Sequence, residues 1–274
     1  MAVITISRQV GSLGDEAAQA LATELGHHLV TREDIHALAA GHDPRFARDV
    51  QRLEDEGHPG FWEKLLLGMP YYHSLYAAVI CELAGRDRMI IMGRGAQVVL
   101  KNIPHILRAR VVAPAGVRAA RVMASQGLER DAAEHYLQHQ DHERRELVRQ
   151  VFRQDPRDWG LYHLVINSGD LDVNGVTSIL RQALKELNRL QDPASVCDLV
   201  RGLGLGKLVE AKVRRQVLPS DLVRAEGGAG GVVTLMGHLP ADTDREKALA
   251  IAAATPGVTG VVDQIQVSRL PALY

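Results

Sequence analysis

The sequence predicts an α/β protein with a parallel sheet flanked by helices, followed by a small α+β module. Short β-branched runs alternate with amphipathic helical patterns over the first 187 residues, which is the order that a parallel sheet requires. Pro193 then interrupts a helical pattern, and glycine-rich strand patterns follow it. With 274 residues, the chain is long enough for one large domain and one smaller domain.

Four strands are predicted in the first part of the chain. The run "AVITIS" leads through a glycine-punctuated turn into a helix with Ala17, Leu21 and Leu25 on one face. Further strands are predicted at 89–92, 111–112 and 164–166, the last two followed by helical patterns. Residues 32–85, between the first two predicted strands, are predicted to be mostly helical and polar, as an inserted subdomain that faces the substrate.

Beyond residue 194 the pattern predicts a helix, two strands, a helix and a final strand. "LVRAEGGAGGVVTLMGHL" supplies two strands joined through four glycines, and "GVTGVVDQIQV" supplies the last strand. Asp242 is predicted to cap the helix between them. The predicted domains are therefore residues 1–190 and 194–268.

Composition excludes several classes of protein. A net charge of −1 argues against a large nucleic-acid surface, and we expect no nucleic-acid partner. No apolar segment approaches the length of a membrane-spanning helix, so no transmembrane segment is expected. Cys81 and Cys197 lie far apart without metal-ligand spacing, which argues against a disulfide framework or a zinc site. These features together predict a cytoplasmic protein.

The segment "VITISRQVGSLGDEAAQALATEL" (3–25) has the order strand, glycine loop, helix. Gly11 and Gly14 allow backbone N–H groups to converge where the following helix directs its positive end, which favours an anion. A full phosphate-loop signature has a lysine and a hydroxyl residue after its last glycine, whereas Asp15 and Glu16 follow Gly14 here. The glycines therefore either cradle a phosphate or only tighten the connection between strand and helix.

Arginines are the second indication of phosphate chemistry, because bidentate guanidinium groups suit the oxygens of a transferred phosphoryl group. Arg94 follows the second predicted strand at the edge where α/β sheets bind ligands, although it could equally be a surface residue in a turn. Arg118 and Arg121 share a helix face, and Asp141, Arg144 and Arg149 fall within neighbouring turns of another helix. The alternative for this second helix is a solvated face with ordinary ion pairs.

Several motifs occur in the order of a known family. They are "ITISRQVGSLG", "VTREDI", "IIMGRGAQVVL", "RVVAPAGVRAARVM", "QDHERRELVRQVF" and "LYHLVINSGDLDV". By these motifs, residues 3 to about 187 resemble the cytidylate kinase-like family. The resemblance implies the fold of P-loop nucleoside monophosphate kinases, with an acceptor-binding insertion at about 32–85 and an arginine-bearing lid at about 125–155. It also implies phosphorylation of CMP or dCMP, with ATP and Mg²⁺ as cofactors.

The resemblance also implies roles for individual residues. Those expected to bind the donor nucleotide are Ser7, Arg8, Gly11, Ser12, Leu13, Gly14, Asp15, Arg118 and Arg121. Those expected to bind the acceptor are Arg32, Arg94 and Asp141, and those expected to stabilise the transferred charge are Arg94, Arg144 and Arg149. Ser12 is the nearest candidate ligand for Mg²⁺. A charge at the start of a helix, after Thr31 as cap, is an equally good explanation of Arg32.

Residues 194–268 resemble a BON domain, through "GGVVTLMGHLPADTDREKALAIAAATPGVTGVVDQIQV". This resemblance implies contact with phospholipid or another partner, in a regulatory or tethering role, or an interaction domain without a ligand. A rival to the kinase hypothesis follows from Leu13 and Asp15 in the loop and from the pair His139-Gln140, where the family usually has other residues. It is a catalytically degenerate nucleotide-binding protein that regulates or tethers through its C-terminal module. A third hypothesis is a kinase for an acceptor other than CMP.

Overall fold

The computed structural model describes residues 3–55, 70–189, 193–217 and 222–267. The chain forms two compact units. The first lies within Met1–Arg32 and Arg86–Pro193, and the second within Glu33–Gly85 and Ala194–Tyr274. The second unit is therefore built from two stretches of chain that are far apart in sequence.

Strands and helices are numbered in chain order. The described elements are β1 (Val3–Arg8), α1 (Gly14–Leu25), β2 (His28–Val30), α2 (Arg32–His42), α3 (Pro44–Asp55), α4 (Pro70–Gly85), β3 (Met89–Met92), α5 (Ala96–Val99), β4 (Leu107–Val112), α6 (Ala115–Gln126), α7 (Arg130–Phe152), β5 (Leu164–Asn167), α8 (Val173–Arg189), α9 (Pro193–Gln216), β6 (Val223–Gly227), β7 (Val232–Leu239), α10 (Asp242–Ala253) and β8 (Gly260–Val267).

The sheet of the first unit has the strand order β2-β3-β1-β4-β5, and every pairing in it is parallel. The central strand β1 is apolar because both faces of a parallel sheet are covered, and Ile4 and Ile6 are fully buried. Helices α1 and α8 pack on the same face of the sheet, where Leu21 and Leu180 join the core. The carboxyl ends of the parallel strands meet at one edge, which is where ligand sites form in such sheets.

The second unit contains a sheet of the order β6-β7-β8, antiparallel between β6 and β7 and parallel between β7 and β8. Helices α9 and α10 cover it, with Val209, Val213 and Ala248 in a core with the strand residues Val233 and Leu235. Glycines let α9 approach β6 closely, because a Cβ at Gly206 would lie 2.5 Å from the backbone nitrogen of Gly227. One face of the mixed sheet is thus buried under α9 and α10.

Helix α4 packs against α9 within the second unit. A Cβ at Gly204 of α9 would lie 2.9 Å from the Cβ of Cys81 of α4. Tyr72, Leu75 and Ile80 of α4 are also buried, and apolar residues occur on all sides of this helix, as is typical of a buried helix. Residues 70–85 are therefore less polar than the sequence pattern indicated.

The predicted fold class is confirmed, and so are the predicted strands of both parts and the element order of the C-terminal module. Strand β2 was not predicted because three residues are too short for a periodic signal. The prediction of Asp242 as a helix cap is wrong: Ala241 is the N-cap residue, and Asp242 is the first residue of α10. No helix in the described ranges is long and apolar enough to span a bilayer.

Candidate active site

The loop between β1 and α1 is a turn that ends in a strained residue. Gly11 has φ +70° and Leu13 has φ +62°, and Leu13 is the N-cap residue of α1. The left-handed conformation costs a non-glycine residue about 1–2 kcal/mol. No side chain caps this helix, so its first N–H groups and its positive end are available to an anion.

The start of α1 changes the alignment of this loop with a phosphate-loop signature: the last glycine of the signature corresponds to Leu13 and not to Gly14. Leu13 adopts the conformation that glycine favours, and the helix begins at Gly14. In this register Gly14 stands where the signature has its lysine, and Asp15 stands where it has its metal-binding hydroxyl. The loop therefore has no cation of its own after the turn, and it has a carboxylate where a neutral oxygen would be expected.

Asp141 and Arg118 fasten the first half of the loop. One carboxylate oxygen of Asp141 accepts a hydrogen bond from the backbone N–H of Val10 (3.1 Å), and the other accepts one from Nη1 of Arg118 (2.7 Å). Arg118, which is 8% exposed, also donates to the carbonyls of Val10 and Ala113 (both 3.1 Å). Helices α6 and α7 thus hold the loop through a bridge of opposite charges.

Arg121 and Ser168 fasten the second half of the loop. Arg121 donates to the carbonyls of Gly11 (3.3 Å) and Ser168 (2.8 Å), and the Ser168 hydroxyl donates to the carbonyl of Ser12 (2.7 Å). Ser12 is completely buried, and its own hydroxyl donates to the carbonyl of Gln9 (2.8 Å). The hydroxyl of Ser12 therefore lies inside the loop and stabilises its shape.

Arg8 and Asp15 form an ion pair at the mouth of the loop, and Arg144 of α7 interacts electrostatically with both. Nε and Nη2 of Arg8 lie 3.0 and 2.7 Å from one carboxylate oxygen of Asp15, whose side chain is 54% exposed. The Nη1 atom of Arg144 is buried with no hydrogen-bond acceptor among the described residues. Burial, followed by repulsion from Arg8, lowers the pKa of Arg144. A buried guanidinium N–H without an acceptor is costly, and an anion would satisfy it.

Arg94 lies in a left-handed turn at the carboxyl end of β3. Gly93, Arg94 and Gly95 have φ values of +62°, +57° and +74°. The N–H of Gly93 donates to the carbonyl of Ile6 (2.8 Å), which joins this turn to β1 just before the β1–α1 loop. Arg94 is partly buried and held in a conformation that costs energy, as is common at functional sites.

The remaining predicted site residues lie elsewhere. Ser7 is buried on β1, and its hydroxyl accepts from Nη1 of Arg110 (2.7 Å). Arg149 is 52% exposed and lies 3.5 Å from Glu146. The side chain of Arg32 lies outside the described part of the structure. Arg118, Arg121 and Asp141 thus contact the loop, and Asp15 contacts Arg8. The Arg94 turn lies next to Arg8, and Arg144 interacts electrostatically with Arg8 and Asp15.

Sequence reasoning missed Ser168, Gln9 and Arg110. Ser168 follows β5, and the rule that ligands bind at the carboxyl ends of parallel strands could have identified it. The side chain of Gln9 accepts from the backbone N–H of Ala113 (3.2 Å), so it joins the loop to β4. Arg108 and Arg110 alternate along β4. Charged residues are unusual in a strand that is covered on both faces, so their presence could have identified Arg110 as a candidate site residue.

A cavity of about 810 Å³ lies between α6 and α7. Its lining includes Ala115 and Gly116 at the start of α6 and His135 and Arg145 of α7. Arg118 and Asp141, which fasten the loop, also line it. The cavity therefore adjoins the β1–α1 loop and is large enough for a nucleoside-sized molecule.

The sequence model of the cytidylate kinase-like family matches residues 3–170, and that of the BON domain matches residues 207–269. Curated relatives named cytidylate kinase come from Methanocaldococcus jannaschii, 28% identical over 110 residues, and Methanopyrus kandleri, 28% identical over 120 residues. These alignments cover 39% and 41% of this chain and 62% of each relative.

Among solved structures, an uncharacterized protein from Eubacterium ventriosum superposes with a TM-score of 0.51 at 20% identity. The superposition covers 68% of this chain and 99% of that one, and it supports the shared fold. The family match covers more than half of the chain and includes the loop, the Arg94 turn, α6, α7 and Ser168. The chain therefore belongs to the cytidylate kinase-like family, with a BON domain following the kinase-like part.

Proposed function

We propose that this protein is an ATP-dependent nucleoside monophosphate kinase, with CMP or dCMP as the favoured acceptor. The observation that carries the proposal is Arg144, whose buried Nη1 has no acceptor among the described residues and whose charge interacts with the Arg8–Asp15 pair at the mouth of the loop. Phosphoryl transfer depends mainly on positioning and on donors spread around the phosphate oxygens. The unpaired N–H of Arg144 near this loop therefore supports a role for Arg144 in binding the phosphate oxygens.

In this proposal the residues divide into two groups. The loop backbone from Gly11 to Gly14, together with Arg8 and Arg144, binds the phosphates of the donor, and Arg94 binds the phosphate of the acceptor. Arg118, Arg121 and Asp141 act as positioning residues, because their hydrogen bonds are to the loop and its neighbours. Arg149 pairs with Glu146 one turn earlier on the same helix, so it would have to leave this partner to bind the phosphates.

The residues present fit a magnesium ion bound chiefly through the nucleotide. Mg²⁺ commonly takes one or two protein oxygens and completes its shell with phosphates and water. The buried hydroxyl of Ser12 makes a poor ligand, whereas the carboxylate of Asp15 is exposed at the start of α1. The ion would neutralise charge on the donor phosphates. Asp15 is therefore the better candidate ligand in this chain.

The acceptor is the least constrained part of the proposal. CMP is favoured because the family and two curated relatives bear its name, and those relatives match this chain over 62% of their length. The cavity between α6 and α7 offers room for one nucleoside, and its arginines and histidines suit an anionic ligand. A cytoplasmic location, where ATP is available, belongs to the same proposal.

The test is a turnover assay with ATP, Mg²⁺ and each of CMP, dCMP, UMP, AMP and GMP, following ADP and nucleoside diphosphate formation. CDP formation by the wild type, lost in Arg94→Ala, is the expected result. Loss of turnover in Arg94→Ala also excludes a contaminating kinase. Arg157→Ala removes an exposed arginine that pairs with Asp155 outside the loop, so it controls for general loss of charge. Equal turnover by Arg94→Ala and wild type would remove Arg94 from the mechanism.

A second candidate is a nucleotide-binding protein without turnover that acts through its BON domain. It is favoured by Asp15, which already engages Arg8, and by Leu13, which strains the loop. In this case ATP raises the melting temperature but is not consumed with any acceptor. Contact of the BON domain with phospholipid is tested by co-sedimentation with vesicles of anionic and neutral lipid, and failure with both directs the search to protein partners.

A further inference from the structure

The side chain of Arg8 runs between two glycines. A Cβ at Gly14 would lie 2.6 Å from the Cβ of Arg8, and a Cβ at Gly93 would lie 2.6 Å from its Nη1. Any larger residue at either position would therefore displace Arg8 or be displaced by it. Arg8, whose side chain is 17% exposed, thus reaches from the start of α1 to the Arg94 turn.

This path places a cation where the loop otherwise has none. The chain has Gly14 in the position of the signature lysine, and a glycine cannot contact a phosphate with a side chain. The guanidinium of Arg8 lies beside the first turn of α1, where an anion is also stabilised by the helix. Arg8 is therefore placed to do the electrostatic work of the absent lysine.

In this structure an anion from the chain itself contacts Arg8. Asp15 lies in the first turn of α1, and one of its oxygens accepts from both Nε and Nη2 of Arg8. The carboxylate thus combines the two features that attract a phosphate here, a guanidinium and a helix N-terminus. The buried Nη1 of Arg144 has no acceptor in the described part of the chain, so the single carboxylate does not satisfy both arginines.

We propose that Arg8 is the phosphate-binding cation of this loop and that Asp15 is a built-in competing anion, which the donor phosphates displace from Arg8. The inference rests on the proposed donor site and adds a determinant of its affinity. A phosphate group has more oxygens than a carboxylate, so it can bridge Arg8 and Arg144 where Asp15 satisfies Arg8 alone. Once released, the exposed Asp15 side chain turns to water or to the metal.

The test is a double-mutant cycle on ATP binding without Mg²⁺, measured by calorimetry on the full chain with wild type, Arg8→Gln, Asp15→Asn and the double variant. We expect Asp15→Asn to bind about fivefold tighter and Arg8→Gln to bind at least about tenfold weaker. In the Arg8→Gln background, Asp15→Asn should have little effect, because there is no longer an arginine to release. Circular dichroism checks that each variant is folded, and Arg8→Met, which also removes the charge, replaces Arg8→Gln if the latter unfolds.

Equal tightening by Asp15→Asn in both backgrounds would overturn the proposal, because Asp15 would then act only by general repulsion. Weaker binding in Asp15→Asn would overturn it as well. Turnover is measured separately, so the two proposals fail in different ways. If the binding data follow the expected cycle but no turnover is found, the role of Arg8 is retained and the kinase proposal is rejected. If turnover is found but the expected cycle is not, the kinase proposal is retained and the competition between Asp15 and phosphate is rejected. Absence of ATP binding in the wild type overturns both.

Discussion

Each unit of the molecule contains a carboxylate beside arginine, and the two carboxylates differ in their burial and in the number of partners that they have. Glu210 in α9 is 3% exposed at its side chain. It accepts hydrogen bonds from Ser74 Oγ (2.7 Å), Lys207 Nζ (3.0 Å) and the N–H of Ala225 (3.2 Å), and it forms an ion pair with Arg214 Nη1 (3.1 Å). Asp15 in the first unit is half exposed and bonds to Arg8, while Arg144 beside it keeps an N–H without an acceptor. A buried carboxylate shared among several donors is typical of architecture, and a half-exposed carboxylate paired with one arginine is typical of a ligand site.

The largest effect is expected from Glu210→Gln. The substitution leaves Lys207 and Arg214 facing a neutral amide in a buried position, and breaking such a network typically costs about 3–5 kcal/mol. Urea unfolding of the full chain, followed by circular dichroism, measures it. Glu186→Gln is the matched control, because Glu186 is an exposed residue 3.6 Å from Arg189, and it should change the free energy of unfolding by less than about 0.5 kcal/mol. A loss below about 1 kcal/mol for Glu210→Gln would mean that Glu210 is not the structural counterpart to Asp15 that we infer.

A smaller loss is expected from Asp141→Asn. The amide can accept from only one of the two donors that Asp141 now serves, so either the N–H of Val10 or Arg118 loses its partner, at a cost of about 2 kcal/mol. Thermal unfolding gives the stability, and ATP titration gives the effect on the loop. Glu143→Gln on the exposed side of the same helix is the control. Weaker stability with unchanged ATP affinity would show that the fastening of the loop does not contribute to binding.

Leu13→Gly should act in the opposite direction. Glycine adopts the left-handed conformation without the steric penalty of leucine, so we expect about 1 kcal/mol of added stability after the greater entropy loss of glycine. Differential scanning calorimetry compares it with wild type. A lower melting temperature would mean that packing of the Leu13 side chain outweighs its backbone strain.

The smallest effect is expected for the reactivity of Cys81, whose thiol is buried where α4 packs against α9. Its reactivity measures how closely the two helices pack, and no substitution is needed. Burial raises the pKa of the Cys81 thiol to about 12, so almost no thiolate exists at pH 8 and a disulfide reagent should not react with it in the native protein. Cys197 is partly exposed and should react. One reactive thiol in buffer and two in denaturant is the expected count with Ellman's reagent. Two in buffer would mean that α4 separates readily from α9.

The sequence anticipated features whose cause is local. Residues 89–92 are apolar because that strand is covered on both faces, and the turn at Gly11 follows from glycine itself. The direction of a long side chain is not local. The helical spacing of Arg118 and Arg121 placed them on one face, but only the packing of α6 against the loop turns them onto its carbonyls. Likewise, nothing near α4 in sequence indicates that α9, more than a hundred residues later, will cover it.

The discontinuity of the second unit has a consequence for synthesis on the ribosome. Helix α4 is apolar on all sides, yet α9, which covers Cys81 and Ser74, is translated only after the roughly hundred residues that complete the first unit. At elongation rates of about 5–20 residues per second, roughly 5–20 s pass between the synthesis of α4 and that of α9. Over that interval the nascent chain carries an uncovered apolar helix. Chaperones that hold such surfaces should therefore engage this protein early, and its yield should depend on the pace of translation through residues 86–193.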